Sequence, residues 1–167
     1  WAKRFDGASV APGKLLVSST ELHAARRVVD ARFRSAVRES IARITVFSKA
    51  SAKKNWSMRT PRGGFLGEQF LPLDRVGVYV PGGAAPLAST ALMTAAIARV
   101  PGVREIVAFT PASRGGMINP YLLFALESAG ATEIYRAGGI QAIGLMAYGT
   151  ETIRKVQKIV GPGGAYV

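Results

Sequence analysis

The rhythm of apolar and polar positions changes near residue 74. Ahead of it, apolar residues recur at spacings of three and four. Behind it, short apolar runs alternate with helical stretches. Ser18-Ser19-Thr20 followed by Glu21 predicts a helix start, with a hydroxyl cap and an early acid. Leu22, Ala25, Val28 and Val29 share one face of that helix, and Arg26 and Arg27 lie off it. Phe33, Val37, Ile41, Ile44 and Phe47 form the stripe of a second amphipathic helix, with Arg34, Arg38 and Arg43 on its outer face. That stripe needs a partner surface, and in an incomplete domain it is expected to lie exposed. Pro61-Arg62-Gly63-Gly64 marks a turn, and Phe65 to Leu73 reads as strand at a sheet edge.

From Asp74 to Ser89 the pattern is DRVGVYVPGGAAPLAS. Val76, Val78 and Val80 alternate with Gly77, Tyr79 and Pro81 as in a strand, and Gly82 and Gly83 break it. Leu87 to Val100 is rich in helix formers. Glu105–Thr110 is a mostly apolar strand, as a central parallel strand should be. Asn119-Pro120 opens a helix that Gly130 closes. Thr132 to Arg136 is a short strand, Gly138-Gly139 a turn, Ile140 to Tyr148 a helix and Lys158-Ile159-Val160 a last strand. This alternation predicts βαβ units in a parallel sheet. The fold class is therefore α/β, with an N-terminal helical segment and edge strands over 1–73 and a Rossmann-like domain over 74–167. Three turns follow strands on one edge: Pro81-Gly82-Gly83, Gly138-Gly139 and Gly161-Pro162-Gly163-Gly164. Strand, glycine turn and helix together bring backbone N–H groups and a helix N-terminus up to an anion. By itself this is also what an ordinary βα turn looks like, and no G-x-G-x-x-G or Walker A pattern is present.

Composition narrows the choices. Net charge is +12, unevenly spread. Residues 1–73 hold 14 Lys or Arg and 5 Asp or Glu; residues 74–167 hold 8 and 5. A basic half invites a nucleic-acid reading, but aromatic residues are not interleaved with the cations as stacking platforms. A solvated face, or one that meets an acidic partner, explains the charge better. No apolar run approaches the roughly 18 residues of a membrane span. Cysteine is absent, which fits a cytoplasmic protein. His23 is the sole histidine, beside Arg26 and Arg27 on a helix, and reads as a surface residue. A catalytic zinc needs about three protein ligands, and no such set is visible. Asp74, Glu105, Glu127 and Glu133 are scattered near element ends and read as solvated.

The blocks VGVYVPGGAAPL, GVREIVAFTPAS, INPYLLFALESAGATEIYRAGGIQAIGLMAYGTETI and KIVGPGGAYV resemble the first, nucleotide-binding half of histidinol dehydrogenase. The resemblance runs over roughly 62–167 and extends more weakly over the N-terminal helices. It implies a fragment of a longer, cytoplasmic homodimeric enzyme that oxidises L-histidinol to L-histidine in two NAD-linked steps, with zinc holding the substrate. It also implies that the catalytic residues and zinc ligands lie outside this chain, so that the fragment alone is inactive. Tyr79 stands where the family's strand-end tyrosine contacts NAD; taken alone, it would be a packed tyrosine. Gln141 matches the family's NAD-contacting glutamine; taken alone, it would be a helix-start capping residue. Gly164 stands in place of an Asn that is a third NAD contact, and keeps only a backbone N–H. Two other readings share these residues less well: a related alcohol dehydrogenase such as one acting on sulfopropanediol, and a basic nucleic-acid-binding module.

Overall fold

A computed structural model describes residues 10–82 and 87–163. Two helices come first, α1 (Ser19–Val28) and α2 (Ala31–Ser51). Ser18 caps α1 as the pattern predicts: its side chain accepts from the Glu21 N–H, and the Glu21 carboxylate accepts from the Ser18 N–H at 3.0 Å. Asp30 caps α2 by accepting from the Phe33 N–H at 2.9 Å. The predicted stripe on α2 is largely covered, which corrects the expectation of an exposed face. Val37 is buried, and Phe33, Ile41 and Ile44 pack against the main core. Only its end protrudes, where Val46 and Phe47 are exposed.

Strands β1 (Trp56–Arg59) and β2 (Phe65–Glu68) form a separate antiparallel hairpin. Of the stretch expected as strand, Phe65 to Leu73, only Phe65–Glu68 is strand; its partner is β1, which follows the basic run after α2. The Glu133–Arg136 edge of the main sheet is covered by the N-terminal segment. Leu16 bridges Tyr135, the Val17 N–H donates to the Ile134 carbonyl, and the Arg136 N–H donates to the Leu15 carbonyl, both at 2.8 Å.

The main sheet contains β3 (Arg75–Tyr79), β4 (Glu105–Thr110), β5 (Glu133–Arg136) and β6 (Lys158–Val160). All are parallel, in the order β5-β4-β3-β6. Between β3 and β4 runs α3, in three pieces: Ala88–Ala91, a π-helical Leu92–Ala96, and Ile97–Arg99. Next come α4 (Pro120–Ala129) and α5 (Gly139–Tyr148). Asn119 caps α4, Pro120 occupies its first turn, and Gly130 ends it at φ 104°, which glycine adopts without a Cβ penalty.

The strand alternation separates two apolar layers. Val76, Val78, Ile106, Ala108 and Ile134 face α3, α4 and the N-terminal helices; Tyr79, Val107, Phe109 and Tyr135 face α5. Gly77 lets α5 come close: a Cβ there would lie 2.4 Å from the Met146 sulfur.

The N-terminal ends of the strands hold an ion network that corrects the reading of Glu105, Glu127 and Glu133 as solvated. The buried Arg75 guanidinium donates to both Glu133 oxygens at 2.6 and 2.8 Å and to Glu105, which also pairs with Arg154. The Gln157 side-chain oxygen accepts from the Asp74 and Arg75 N–H groups at 2.6 and 3.0 Å, tying in the segment before β6. Glu127 on α4 receives a two-pronged hydrogen bond from Arg26 on α1, at 2.6 and 2.7 Å. Buried Arg136 likewise holds the N-terminal segment, donating to the Lys14 carbonyl at 2.6 Å and pairing with Glu21.

Candidate functional site

Strand order decides where a ligand can enter. From β3 the chain moves outward through β4 to β5, with α3 and α4 on one face. It then returns by α5 on the opposite face and places β6 on the other side of β3. The order reverses between β3 and β6. In open parallel sheets the crevice beyond the carboxyl ends of the strands at such a reversal is the ligand site.

Close contacts shape that edge. A Cβ on Gly82 would lie 2.8 Å from both a ring carbon and the carbonyl oxygen of Pro111, and one on Gly138 would lie 2.5 Å from the Pro111 Cβ. Two glycine turns thus pack on one proline that directly follows β4. Gly161, just past β6, packs on β3: a Cβ there would lie 2.4 Å from the Tyr79 carbonyl oxygen. All three turns are therefore anchored at the carboxyl edge.

Tyr79 is buried in the layer under α5, and its hydroxyl accepts the Gly139 N–H at 3.2 Å. Gln141 is half-buried on the first turn of α5. The structure brings Tyr79 and the start of α5 together on one face of the sheet. Helix α5 begins at Gly138 without a side-chain cap, and Gly139 has φ 61°, a left-handed value suited to glycine. A helix start whose N-cap residue supplies no side-chain hydrogen bond, and whose dipole presents its positive end, suits an anionic group such as a pyrophosphate. Gly164, and Gly83 to Pro86 of the first turn, lie outside the described residues. His23 is exposed on α1, where its Nδ1 lies 2.8 Å from the Ser19 carbonyl oxygen of its own helix.

The family model for histidinol dehydrogenase matches residues 1–167. This chain belongs to the histidinol dehydrogenase family. It is 44% identical over 167 residues to the histidinol dehydrogenase of Symbiobacterium thermophilum, covering 100% of this chain and 38% of that relative. It is 43% identical over 164 residues to that of Methanothermobacter thermautotrophicus, covering 98% and 38%. The crystal structure of histidinol dehydrogenase from Elizabethkingia anophelis superposes with a TM-score of 0.92 at 38% identity, over 99% of this chain and 38% of that one. The chain thus spans well under half the length of these family members.

Sequence reasoning missed Pro111 and Gly139. Pro111 carries a signal, since it immediately follows an apolar strand and its closed ring offers a rigid surface. The pattern marks Gly139 only as a turn residue; that its N–H meets Tyr79 follows from the crossing of α5 over β3.

Among the described residues, no group of three or more His, Cys, Asp or Glu side chains could hold a metal ion. The described residues therefore do not fit a zinc site. Nor is any described helix long and apolar enough to cross a membrane.

Proposed function

We propose that this chain supplies the NAD-binding region of a histidinol dehydrogenase, a cytoplasmic homodimer that oxidises L-histidinol to L-histidine. The observation that carries the reading is the reversal of strand order at β3 and β6 beneath the glycine turns at Gly82, Gly138 and Gly161. Those residues fit NAD: the glycines keep the edge low enough for a dinucleotide to approach backbone N–H groups, and the α5 N-terminus faces negative charge favourably. NAD, when bound, accepts the hydride from the alcohol carbon. The chain's part is to bind and orient it. Gln141 has an amide that donates and accepts at once, which suits a carboxamide or a ribose hydroxyl. Tyr79 is the second contact of this reading, since its hydroxyl accepts the Gly139 N–H and still has its own proton to donate to the cofactor, and Gly164, which has no side chain to offer, is the third.

A nucleic-acid role is less well supported, because the family match runs through the basic half as well, over residues 1–167. Substrate and zinc chemistry would come from residues outside the described set.

The test is a titration of NAD against the intact protein and its variants. Gln141→Ala should weaken binding roughly two- to tenfold, the range of one lost hydrogen bond. Gly164→Asn should tighten it by a similar factor. Unchanged affinity in both variants would contradict the assignment.

A further inference from the structure

A dinucleotide brings a doubly negative diphosphate to the carboxyl edge of the sheet, and charge there is scarce. The four loops that leave the strands at that edge, 80–87, 111–119, 137–138 and 161–164, contain no Asp or Glu. They hold one charged residue, Arg114. Two other cations stand near the edge and are placed differently. Arg136, at the end of β5, is buried and pairs with Glu21. Lys14 belongs to the segment on the outer side of β5, at the opposite end of the sheet from β6. The loop carrying Arg114 is a tight turn. The Gly116 N–H donates to the Ser113 carbonyl and the Ser113 N–H to the Met117 carbonyl, both at 2.8 Å. Arg114 is therefore held at the tip of the turn, and it is exposed. It lies three residues beyond Pro111, on which the Gly82 and Gly138 turns both pack. Three residues span at most about 11 Å, close to the Debye length of roughly 10 Å in dilute salt. Its charge is thus felt at both turns.

We propose that Arg114 supplies the full positive charge that holds the cofactor's diphosphate at the carboxyl edge of the sheet. The proposal rests on the NAD reading above and adds a binding residue to it. Helix starts offer an anion only partial charge, and no side chain caps the start of α5. A guanidinium contributes a whole charge and several N–H donors in a geometry that matches phosphate oxygens. With no carboxylate in the same loops, nothing there offsets that attraction. A charge acting at such range, on the surface, weakens as salt rises.

The experiment titrates NAD against the intact protein at low and at high salt, with a graded set of substitutions. Arg114→Gln should weaken binding roughly two- to tenfold at low salt, and Arg114→Glu should weaken it further. Arg114→Lys, which keeps the charge, should stay close to the wild type. The difference between wild type and Arg114→Gln should shrink as salt rises. Arg62→Gln removes one exposed cation at the turn between β1 and β2, and it should leave the affinity unchanged. Equal affinity in wild type, Arg114→Gln and Arg114→Glu would overturn the proposal while the NAD reading stood. An equal loss in Arg62→Gln would overturn it too, because net charge and not this residue would then be acting. So would a loss in Arg114→Lys as large as in Arg114→Gln. A wild-type protein that binds no NAD would overturn the cofactor reading itself, and the role of Arg114 with it.

Discussion

Arg75 shows how much one side chain organises. It lies at the first position of β3, and Glu105 and Glu133 lie at the first positions of β4 and β5, so one guanidinium spans three parallel strands. Opposite charge pulls the Glu105 carboxyl down to about 2, first through Arg154 and then through Arg75. Arg75 also lowers Glu133, while burial and the hydrogen bond to Glu133 push the Tyr135 hydroxyl up to about 12. Arg75→Ala would leave two carboxylates facing each other without a cation. Removing one partner of a buried pair costs about 3 kcal/mol or somewhat more, and since the glutamates keep partial solvent contact the low end is expected, read as a lowered denaturation midpoint in urea. The sign of the pH effect follows from the depressed carboxyls. Their contribution is complete above the ordinary carboxylate range near 4.5 and is lost as pH falls toward about 2. Wild-type stability should therefore drop between pH 4.5 and 2, and Arg75→Ala should flatten that drop. An identical acid slope in both proteins would contradict the network.

At the scale of elements, the sequence was most readable where a local rule acts alone. The Ser18 capping box, the Asn119-Pro120 start and the Gly130 stop each depend on a few neighbouring residues, and each stands where its pattern placed it. The sheet strands were equally legible from their apolar runs. What the pattern could not show was partnership. Trp56–Arg59 carries two charged or polar residues in four and is exposed throughout, so no strand pattern marks it, and its pairing with β2 shows only in the structure. The α2 stripe looked unpartnered because its cover comes from α3 and α4, some fifty residues and more downstream. Glu105 and Glu133 looked solvated because Arg75 is remote in sequence from both; charged residues opening three apolar strands were the one available hint. For the site, glycine turns after strands were legible, but their common support on Pro111 was not. That support is testable. Gly138→Ala and Gly161→Ala introduce a Cβ where Pro111 and the Tyr79 carbonyl already stand, and overpacking of this kind costs about 1–3 kcal/mol. Thermal melts should fall for both, while Gly144→Ala, which meets nothing within 4 Å, should not.

For the whole molecule, the two ends of the sheet divide the work. The amino ends are locked by ions, and the carboxyl ends carry the glycine turns and the uncapped start of α5. The chain covers 38% of the length of its Symbiobacterium relative, and its described residues supply no metal-binding group. The purified chain should accordingly form no NADH from L-histidinol with zinc present; production above a heat-killed control would contradict this. It should bind an apolar dye as well, because Phe65, Leu66 and Leu71 are exposed on or beside the hairpin, and Phe65→Ser with Leu66→Ser should lower that signal. The most direct test of the central claim is a map of backbone amide shifts in the intact protein as NAD is added. The account predicts changes concentrated at 79–82, 138–141 and 161–163, with Arg75, Glu105, Glu133 and Gln157 at the opposite edge unmoved. Shifts centred on that opposite edge or on the hairpin, with the three turns silent, would contradict it.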